Sequence, residues 1–231
     1  MVSRHTVQQQ QQQQQQHPKG AESMKALCVD LCSGLGGMSR AFVDAGWEVV
    51  TVDVEAKFNP TICQDIRTVT KEIVEQACRS HLTQYDKVVV LASPPCQRFS
   101  IAMPKWPLLG IREAFEIVGA VFGLIEEIKP DFWLVENPKG RLRWFVPNKP
   151  IATINLSDYG YPSKKPTDLW GNIPLPMIET IISFARIYSE KRQRQETWIQ
   201  HQGRDPAKRA EMPLGLSKAI LQATTQETAK A

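Results

Sequence analysis

From Lys25 onward the apolar positions switch repeatedly between short continuous runs and helical spacing. Ala26-Leu27-Cys28-Val29, Val49-Val50-Thr51-Val52, Val88-Val89-Val90-Leu91-Ala92 and Phe132-Trp133-Leu134-Val135 read as buried strands. Between them, Met38 to Ala45, ended by Gly46, fits a helix, as does Val69 to Arg79 with Val69, Ile73, Val74 and Ala77 on one face. Ile111 to Ile128 carries a stripe of Phe115, Val118, Val121, Phe122 and Ile125, stopped by Lys129-Pro130. Strand and helix alternate, which predicts an α/β fold with a doubly wound, mostly parallel sheet. Beyond residue 138 the spacing loosens. Ala152 to Leu156 suits a further strand, Ile178, Ile181, Ile182 and Ala185 fit one helical face, and Leu216, Ile220 and Leu221 suggest a closing helix after Pro213.

The ends of the chain and its charge add to this pattern. Residues 1–21 hold nine consecutive glutamines, Gln8 to Gln16, and no core-forming run, so a disordered tail without assigned function is expected. The net charge of +4 is unevenly spread. Residues 22–138 carry 11 Lys and Arg against 16 Asp and Glu, whereas residues 139–209 carry 13 against 6. The front reads as a catalytic body and the back as a surface able to meet a polyanion, with a solvated basic face as the plain alternative. The five cysteines form no C-x-x-C pair, and two of the four histidines lie in the tail. A reduced protein without disulfide framework or metal centre is expected. With no membrane-spanning apolar run and no apolar core of a secretory signal, the expected location is cytoplasmic, in a prokaryotic cell or, for a viral protein, its host.

Three stretches of chemical interest fall at strand ends, the edge where doubly wound sheets bind ligands. Asp30-Leu31-Cys32-Ser33-Gly34-Leu35-Gly36-Gly37 joins the first strand to the first helix. Its spacing is not the dinucleotide G-x-G-x-x-G. Asp53 ends the second strand, where a carboxylate can accept ribose hydroxyls, and Asp65-Ile66 can flank a base. A nucleoside with a small zwitterionic tail, such as S-adenosylmethionine, fits this set, its ammonium at Asp30 and its carboxylate at the helix end. An ordinary β–α turn, with glycines serving geometry alone, stays open. Ser93-Pro94-Pro95-Cys96-Gln97 halts the third strand at two prolines that fix the backbone ahead of a thiol. Phe132 to Val135 is followed by Glu136-Asn137-Pro138, which places a carboxylate just past a wholly apolar strand. Burial there favours a protonated acid, whereas a capping or salt-bridged carboxylate is the structural alternative. Cys28, Cys32, Cys63 and Cys78 lack a comparable setting and read as packing residues.

Taken together these residues resemble the cytosine-5 DNA methyltransferases, which carry a D-L-F-x-G-x-G-G turn, a P-P-C-Q loop and an E-N-V strand end in this order. Here they stand as Asp30 to Gly37, Pro94 to Gln97 and Glu136 to Pro138, and Tyr159 to Thr167 resembles the family's Y-G-x-P-Q-x-R-x-R. The resemblance covers roughly residues 25–170 and, faintly, 209–222. It implies a Rossmann-like sheet of the S-adenosylmethionine-dependent methyltransferase type with a small basic C-terminal region. It also implies methyl transfer to C5 of a flipped-out cytosine, with S-adenosyl-L-homocysteine as product. Cys96 would attack C6, Glu136 would hold the ring at N3 and the exocyclic amine, and Asn137 and Lys165 would complete the catalytic set. Asp30, Leu31, Cys32, Ser33, Gly34, Gly36, Gly37, Asp53, Val54, Asp65, Ile66 and Pro95 would form the cofactor site. Gln97, Arg98, Ser100, Arg141, Arg143 and Lys164 would meet the nucleic acid.

The departures from the family pattern are specific. Cys32 replaces an aromatic residue, Pro138 a valine, and Ser163, Lys165 and Thr167 replace a glutamine and two arginines. Ala210-Glu211-Met212-Pro213 is only a distant echo of the family's closing G-N-x-V-P. The domain reading is a tail at 1–21, a catalytic domain at 22–172, a reduced target-recognition region at 173–205 and a C-terminal helix within 206–231. The expected partner is double-stranded DNA met by a monomer, with RNA methylation and an inactive nucleic-acid-binding protein as alternatives. Base reading by so small a region implies a short site, weak specificity or help from a partner.

Overall fold

The computed structural model describes residues 24–99, 110–192 and 211–226, with only the helical backbone described for 186–192. The glutamine tract, Ser100, Gln193, Arg194, Ala210 and the remainder of the 173–205 region lie outside the described residues. Seven strands form one sheet: β1 Ala26–Leu31, β2 Glu48–Asp53, β3 Ile62–Cys63, β4 Lys87–Ala92, β5 Phe132–Pro138, β6 Ala152–Asn155 and β7 Pro166–Gly171. The helices are α1 Arg40–Asp44, α2 Lys71–Ala77, α3 Ile111–Ile128, α4 Leu175–Arg192 and α5 Leu214–Gln226. Among the described residues no helix is long and apolar enough to cross a membrane.

The strand order is β3-β2-β1-β4-β5-β7-β6. Pairing is parallel from β3 to β5, and β7 runs antiparallel to both β5 and β6. The doubly wound α/β sheet expected from the alternation is therefore present. β1 and β4 are buried at every position, because central parallel strands are covered on both faces. One face packs on α2 and α3 through Val29, Val90, Val121 and Trp170. The other packs on α1, α4 and α5 through Leu91, Leu134, Ile181 and Ile220. Ile173, Met177 and Ile178 belong to this second cluster, so the first turns of α4 are part of the core.

The chain leaves β1 toward β2 on one side and leaves β4 toward β5 on the other. Beyond this reversal a crevice opens at the carboxyl ends of β1 and β4. The two loops that matter start there side by side, since Leu31 pairs with Ala92 and the Ser93 N–H donates to the Leu31 carbonyl (3.1 Å).

Several boundaries differ from the sequence pattern. The first helix begins at Arg40 rather than Met38, because Gly34 and Gly36 hold positive φ and keep the chain in turns up to Ser39. α2 spans Lys71–Ala77 within the wider apolar pattern of 69–79. Leu156 opens a 3₁₀ turn and is not the end of β6. Two strands carried no pattern signal: the two-residue β3, and β7, whose Lys-Lys-Pro-Thr-Asp lead reads as loop. β7 changes the placement of Glu136. β4 ends opposite Val135, but β5 continues to Pro138 because β7 supplies its partner there, pairing Glu136 with Leu169. Glu136 and Asn137 are thus strand residues and not, as the pattern suggested, residues past a strand end.

The C-terminal helix is locked by close backbone approach. A Cβ at Gly215 would lie 2.1 Å from the Tyr159 carbonyl oxygen. Gly215→Ala is therefore expected to lower stability by ~1–3 kcal/mol in denaturant unfolding, as overpacking against backbone does. Unchanged stability would show that α5 is not docked in this way.

Candidate active site

The glycine turn is shaped by backbone rather than by contacts of its own side chains. Cys32 (φ 54), Gly34 (φ 52) and Gly36 (φ 72) all adopt the left-handed conformation, which costs a non-glycine residue energy and marks Cys32 as a constrained position. The Gly34 N–H donates to Asp53 Oδ2 (2.8 Å), tying the turn to the end of β2. Gly37 has no room for a side chain, since a Cβ there would meet the Met212 backbone oxygen at 2.6 Å. The faintly matching Met212-Pro213 segment does pack behind the turn. Ser217 of α5 strengthens this wall by donating to the Met38 carbonyl (2.6 Å) and accepting from the Ala41 N–H (2.9 Å).

Asp30 is fully buried beneath this turn. Its Oδ2 accepts from the Ser39 hydroxyl (2.6 Å), and its Oδ1 has no partner. Burial pushes its carboxyl up to about 7, against the Ser39 hydrogen bonds and with a smaller push from Asp53. A buried acceptor without a donor is costly, and a cation placed against it would remove the cost.

A cavity of about 430 Å³ opens beside the turn, lined by Cys32, Asp53, Val54, Asp65, Ile66, Pro95 and Gln97. Phe58 and Ile117, which carried no signal in the sequence, also line it. Asp53 stands at its rim, with Oδ1 accepting the Glu55 N–H (2.9 Å). Asp65 is held by Arg67 through side-chain and backbone hydrogen bonds, which keep its carboxyl below the usual range. Arg67 reaches on to Glu116 of α3. The Cys32 thiol is pushed up to about 12, by burial first and then by Asp53, Asp30 and Asp65, so it stays protonated. Leu31 is core, and Ser33, Gly36 and Gly37 shape the turn away from the cavity wall.

The thiol loop is clamped at three points. The buried Asn137 side chain donates from Nδ2 to the Pro94 carbonyl (3.0 Å). Buried Phe99 packs edge-on against Phe115 of α3, with ring centres 5.4 Å apart. The Phe99 carbonyl accepts the Arg141 N–H (2.9 Å), and a Cβ at Gly140 would sit 2.4 Å from that same oxygen. Cys96 lies between these clamps, half-buried. Burial raises its thiol, the Glu136 charge raises it further, and Lys165 and a backbone hydrogen bond act the other way.

Glu136 is buried, and its Oε1 has no partner. Burial pushes its carboxyl up to about 7, opposed by Lys165 and Ser93 and aided by Asp168. Cys96, Glu136 and Lys165 therefore lie close enough to act on one another electrostatically. The Lys165 ammonium lies over the Tyr161 ring, 5.2 Å from its centre. Thr167 is buried in β7 and donates to the Lys165 carbonyl (3.1 Å).

The residues expected at nucleic acid are placed differently from one another. Gln97 is exposed beside Cys96 and lines the cavity, and Lys164 is exposed ahead of Lys165. The Arg98 guanidinium packs over Gly110 at the start of α3. Arg141 and Arg143 share a 3₁₀ turn after β5. The Arg143 guanidinium binds both oxygens of buried Asp168, which raises its pKa. A larger cavity of about 620 Å³ lies on the far side of α3, lined by Phe122, Trp133 and Phe145, and it contains none of these groups.

A model of the C-5 cytosine-specific DNA methylase family matches residues 26–162, more than half of the chain. The type II methyltransferase M.AquIA of Picosynechococcus sp. is 26% identical over 132 residues, covering 52% of this chain and 52% of that protein. The type II methyltransferase M.XorII of Xanthomonas oryzae pv. oryzae is 30% identical over 165 residues, covering 59% of this chain and 38% of that protein. The chain thus spans about half or less of the length of these curated relatives. The matched range contains the glycine turn, the P-P-C-Q loop and the Glu136-Asn137 strand end, and the chain belongs to the C-5 cytosine-specific DNA methylase family.

Proposed function

We propose that this chain methylates C5 of cytosine in double-stranded DNA, using S-adenosyl-L-methionine. The observation that carries the reading is the pairing of a clamped, half-buried thiol with a nearby buried, proton-holding carboxyl, next to a cavity to which the glycine turn contributes Cys32. When bound, the cofactor supplies an electrophilic methyl group and leaves as S-adenosyl-L-homocysteine. The residues present fit it. Asp30 Oδ1 lacks a donor that an ammonium would provide, Asp53 stands at the rim for ribose hydroxyls, and Val54, Ile66 and Phe58 offer apolar surface to a base. Arg67 occupies Asp65, so Asp65 orders the rim as an anion.

The chain's residues divide the chemistry of the base. A cytosine in a duplex hides C6, so the base must leave the stack to reach the cleft. Glu136, protonated near neutral pH, gives its proton to N3 and accepts from the exocyclic amine. The Cys96 thiolate adds to C6 and makes C5 nucleophilic. After C5 gains the methyl group its proton passes to water, the C6–S bond breaks, N3 returns its proton to Glu136, and the ring and the thiolate are restored. The two groups are coupled in a useful sense. Glu136 as an anion raises the Cys96 thiol, so a proton on Glu136 favours the thiolate. Lys165 is the cation that favours both the thiolate and a developing negative charge on the base. Asn137 acts by holding Pro94, and hence the direction of Cys96.

DNA contacts come from Gln97, Arg98, Ser100, Arg141 and Lys164 in this reading, with phosphate contacts making affinity salt-dependent. Arg143, engaged by Asp168, would reach a phosphate only with the remaining N–H groups of its guanidinium. Residues 173–205 serve target recognition only beyond the core-packed start of α4.

Duplex DNA and tRNA carrying 5-fluorocytosine, mixed with the protein and S-adenosyl-L-methionine, test the mechanism. A denaturation-resistant adduct with DNA that disappears in Cys96→Ala is expected. An adduct with tRNA alone would move the substrate to RNA, and none with either polymer across several sequence contexts would sink the reading.

The raised carboxyls also predict a stability profile. A carboxyl whose folded pKa exceeds its unfolded value stabilises the fold below the unfolded value, and that contribution is lost as pH rises through the folded one. For Asp30 and Glu136 the window runs from about 4 to about 7. Glu136→Gln and Asp30→Asn should therefore melt several degrees above the parent at pH 8 and close to it at pH 4. Equal differences at both pH values would contradict the raised carboxyls.

A further inference from the structure

Trp144 closes the 3₁₀ turn Arg141–Trp144 after β5 and is 70% exposed, whereas Trp133 and Trp170 pack into the fold. One exposed apolar side chain is ordinary on a protein surface, but this one stands on a turn built against the reaction centre. The Lys139 N–H donates to the Pro166 carbonyl (2.8 Å), one residue beyond Lys165. The Arg141 N–H donates to the Phe99 carbonyl (2.9 Å), in the loop that carries Cys96. Between these two bonds, Gly140 approaches the Phe99 oxygen so closely that a Cβ would lie 2.4 Å from it. The start of the turn is thus wedged between the thiol loop and the lead into β7. Its other residues are also fixed: Leu142 is buried, Arg143 is engaged by Asp168 and Thr153, and Phe145 packs against Phe115 with ring centres 4.5 Å apart.

Residues three apart in a 3₁₀ turn share a side, so Arg141 and Trp144 form a cation and ring pair. Lys139, Arg141, Arg143 and Lys149 fall within eleven residues, and no Asp or Glu occurs between Glu136 and Asp158. Cations interleaved with an exposed aromatic ring suit a nucleic acid, the charges meeting phosphates and the ring meeting bases. The Phe99 N–H donates to the Cys96 carbonyl (3.0 Å), so short backbone links connect the thiol to Arg141. Trp144 lies about 6 Å further along the turn, which keeps it within about five base steps of the thiol. In a paired duplex each base face is covered by its neighbour. When a cytosine leaves the stack, the faces beside the gap and the abandoned partner base are uncovered within that range.

We propose that Trp144 is a base-stacking contact for DNA, covering a base that is uncovered when the target cytosine leaves the duplex, with Arg141 beside it on a phosphate. The proposal rests on the reading of Cys96 as the group that meets a flipped-out cytosine. It gives the extruded state a contact that the paired duplex does not make, and it does so from the body of the fold rather than from residues 173–205. Trp144 touches no reacting atom.

The test is the affinity of the full chain, with S-adenosyl-L-homocysteine present, for two duplexes of one sequence. One is fully paired, and the other sets a cytosine opposite adenine, which lowers the cost of leaving the stack. In Trp144→Ala the Kd for the mismatched duplex should rise roughly 5- to 100-fold, as loss of one stacked base does, and the Kd for the paired duplex should rise less. Trp144→Phe should recover most of the loss. The slope of log Kd against log salt should stay unchanged in Trp144→Ala and become shallower by about one in Arg141→Gln. Affinity for S-adenosyl-L-homocysteine should be the same in parent and variants, which reports an intact fold. Trp144→Ala that binds both duplexes as the parent does, or that loses the same factor on both, overturns the proposal and leaves the reading of Cys96 standing. A parallel loss of S-adenosyl-L-homocysteine affinity shows a structural role and overturns it as well. A parent chain that binds neither duplex overturns the proposal together with that reading.

Discussion

The structure depends on β5 outrunning β4. β4 stops opposite Val135, where two prolines end its ability to donate along the ladder, while β5 continues to Pro138 on the strength of β7. This overhang has two consequences. Glu136 is held by strand pairing yet emerges at the level where β4 has turned away, so its carboxyl is buried and still faces the loop. Asn137 comes level with Pro94 and takes its carbonyl, which stops the chain ahead of Cys96 from wandering. An antiparallel strand inserted beside a parallel sheet therefore sets the relation between thiol and acid.

The cofactor side depends on a similar economy of backbone. β1 reverses the winding against β4, and the glycine turn starts where the thiol loop starts. Gly37 admits the Met212 backbone, Ser217 satisfies the Met38 carbonyl and the Ala41 N–H, and Ser39 then reaches Asp30. The C-terminal helix thus braces the turn from behind, and the orphaned oxygen of Asp30 is left beneath it.

Much of this was legible in sequence, for identifiable reasons. Gly34, Gly36, Pro94 and Pro95 act through the backbone, and such punctuation reads locally. The apolar runs of β1, β4 and β5 need no partner to be recognised, since they are buried on both faces. β7 was opaque because Lys164-Lys165-Pro166-Thr167-Asp168 is polar where it enters the sheet, and its burial comes from partners 15 to 25 residues away. For the same reason Arg143 read as a free nucleic-acid contact, although Asp168 engages it. Phe58 and Ile117 reach the cavity from a short 3₁₀ turn and from α3, and no spacing rule links them to Asp53. The departures at Cys32 and Thr167 gain a physical content that a motif cannot supply: one occupies a left-handed turn as a protonated thiol, and the other is a buried strand residue.

The chemistry proposed for this site is methylation of cytosine in DNA through Cys96. Bisulfite sequencing of DNA from cells expressing the full chain, beside cells expressing Cys96→Ala, tests it most directly, because activity and sequence context are read together. Cytosines protected from conversion in a recurring context are expected with the parent chain and not with the variant. Protection at no cytosine in either sample, or equal protection in both, would contradict it.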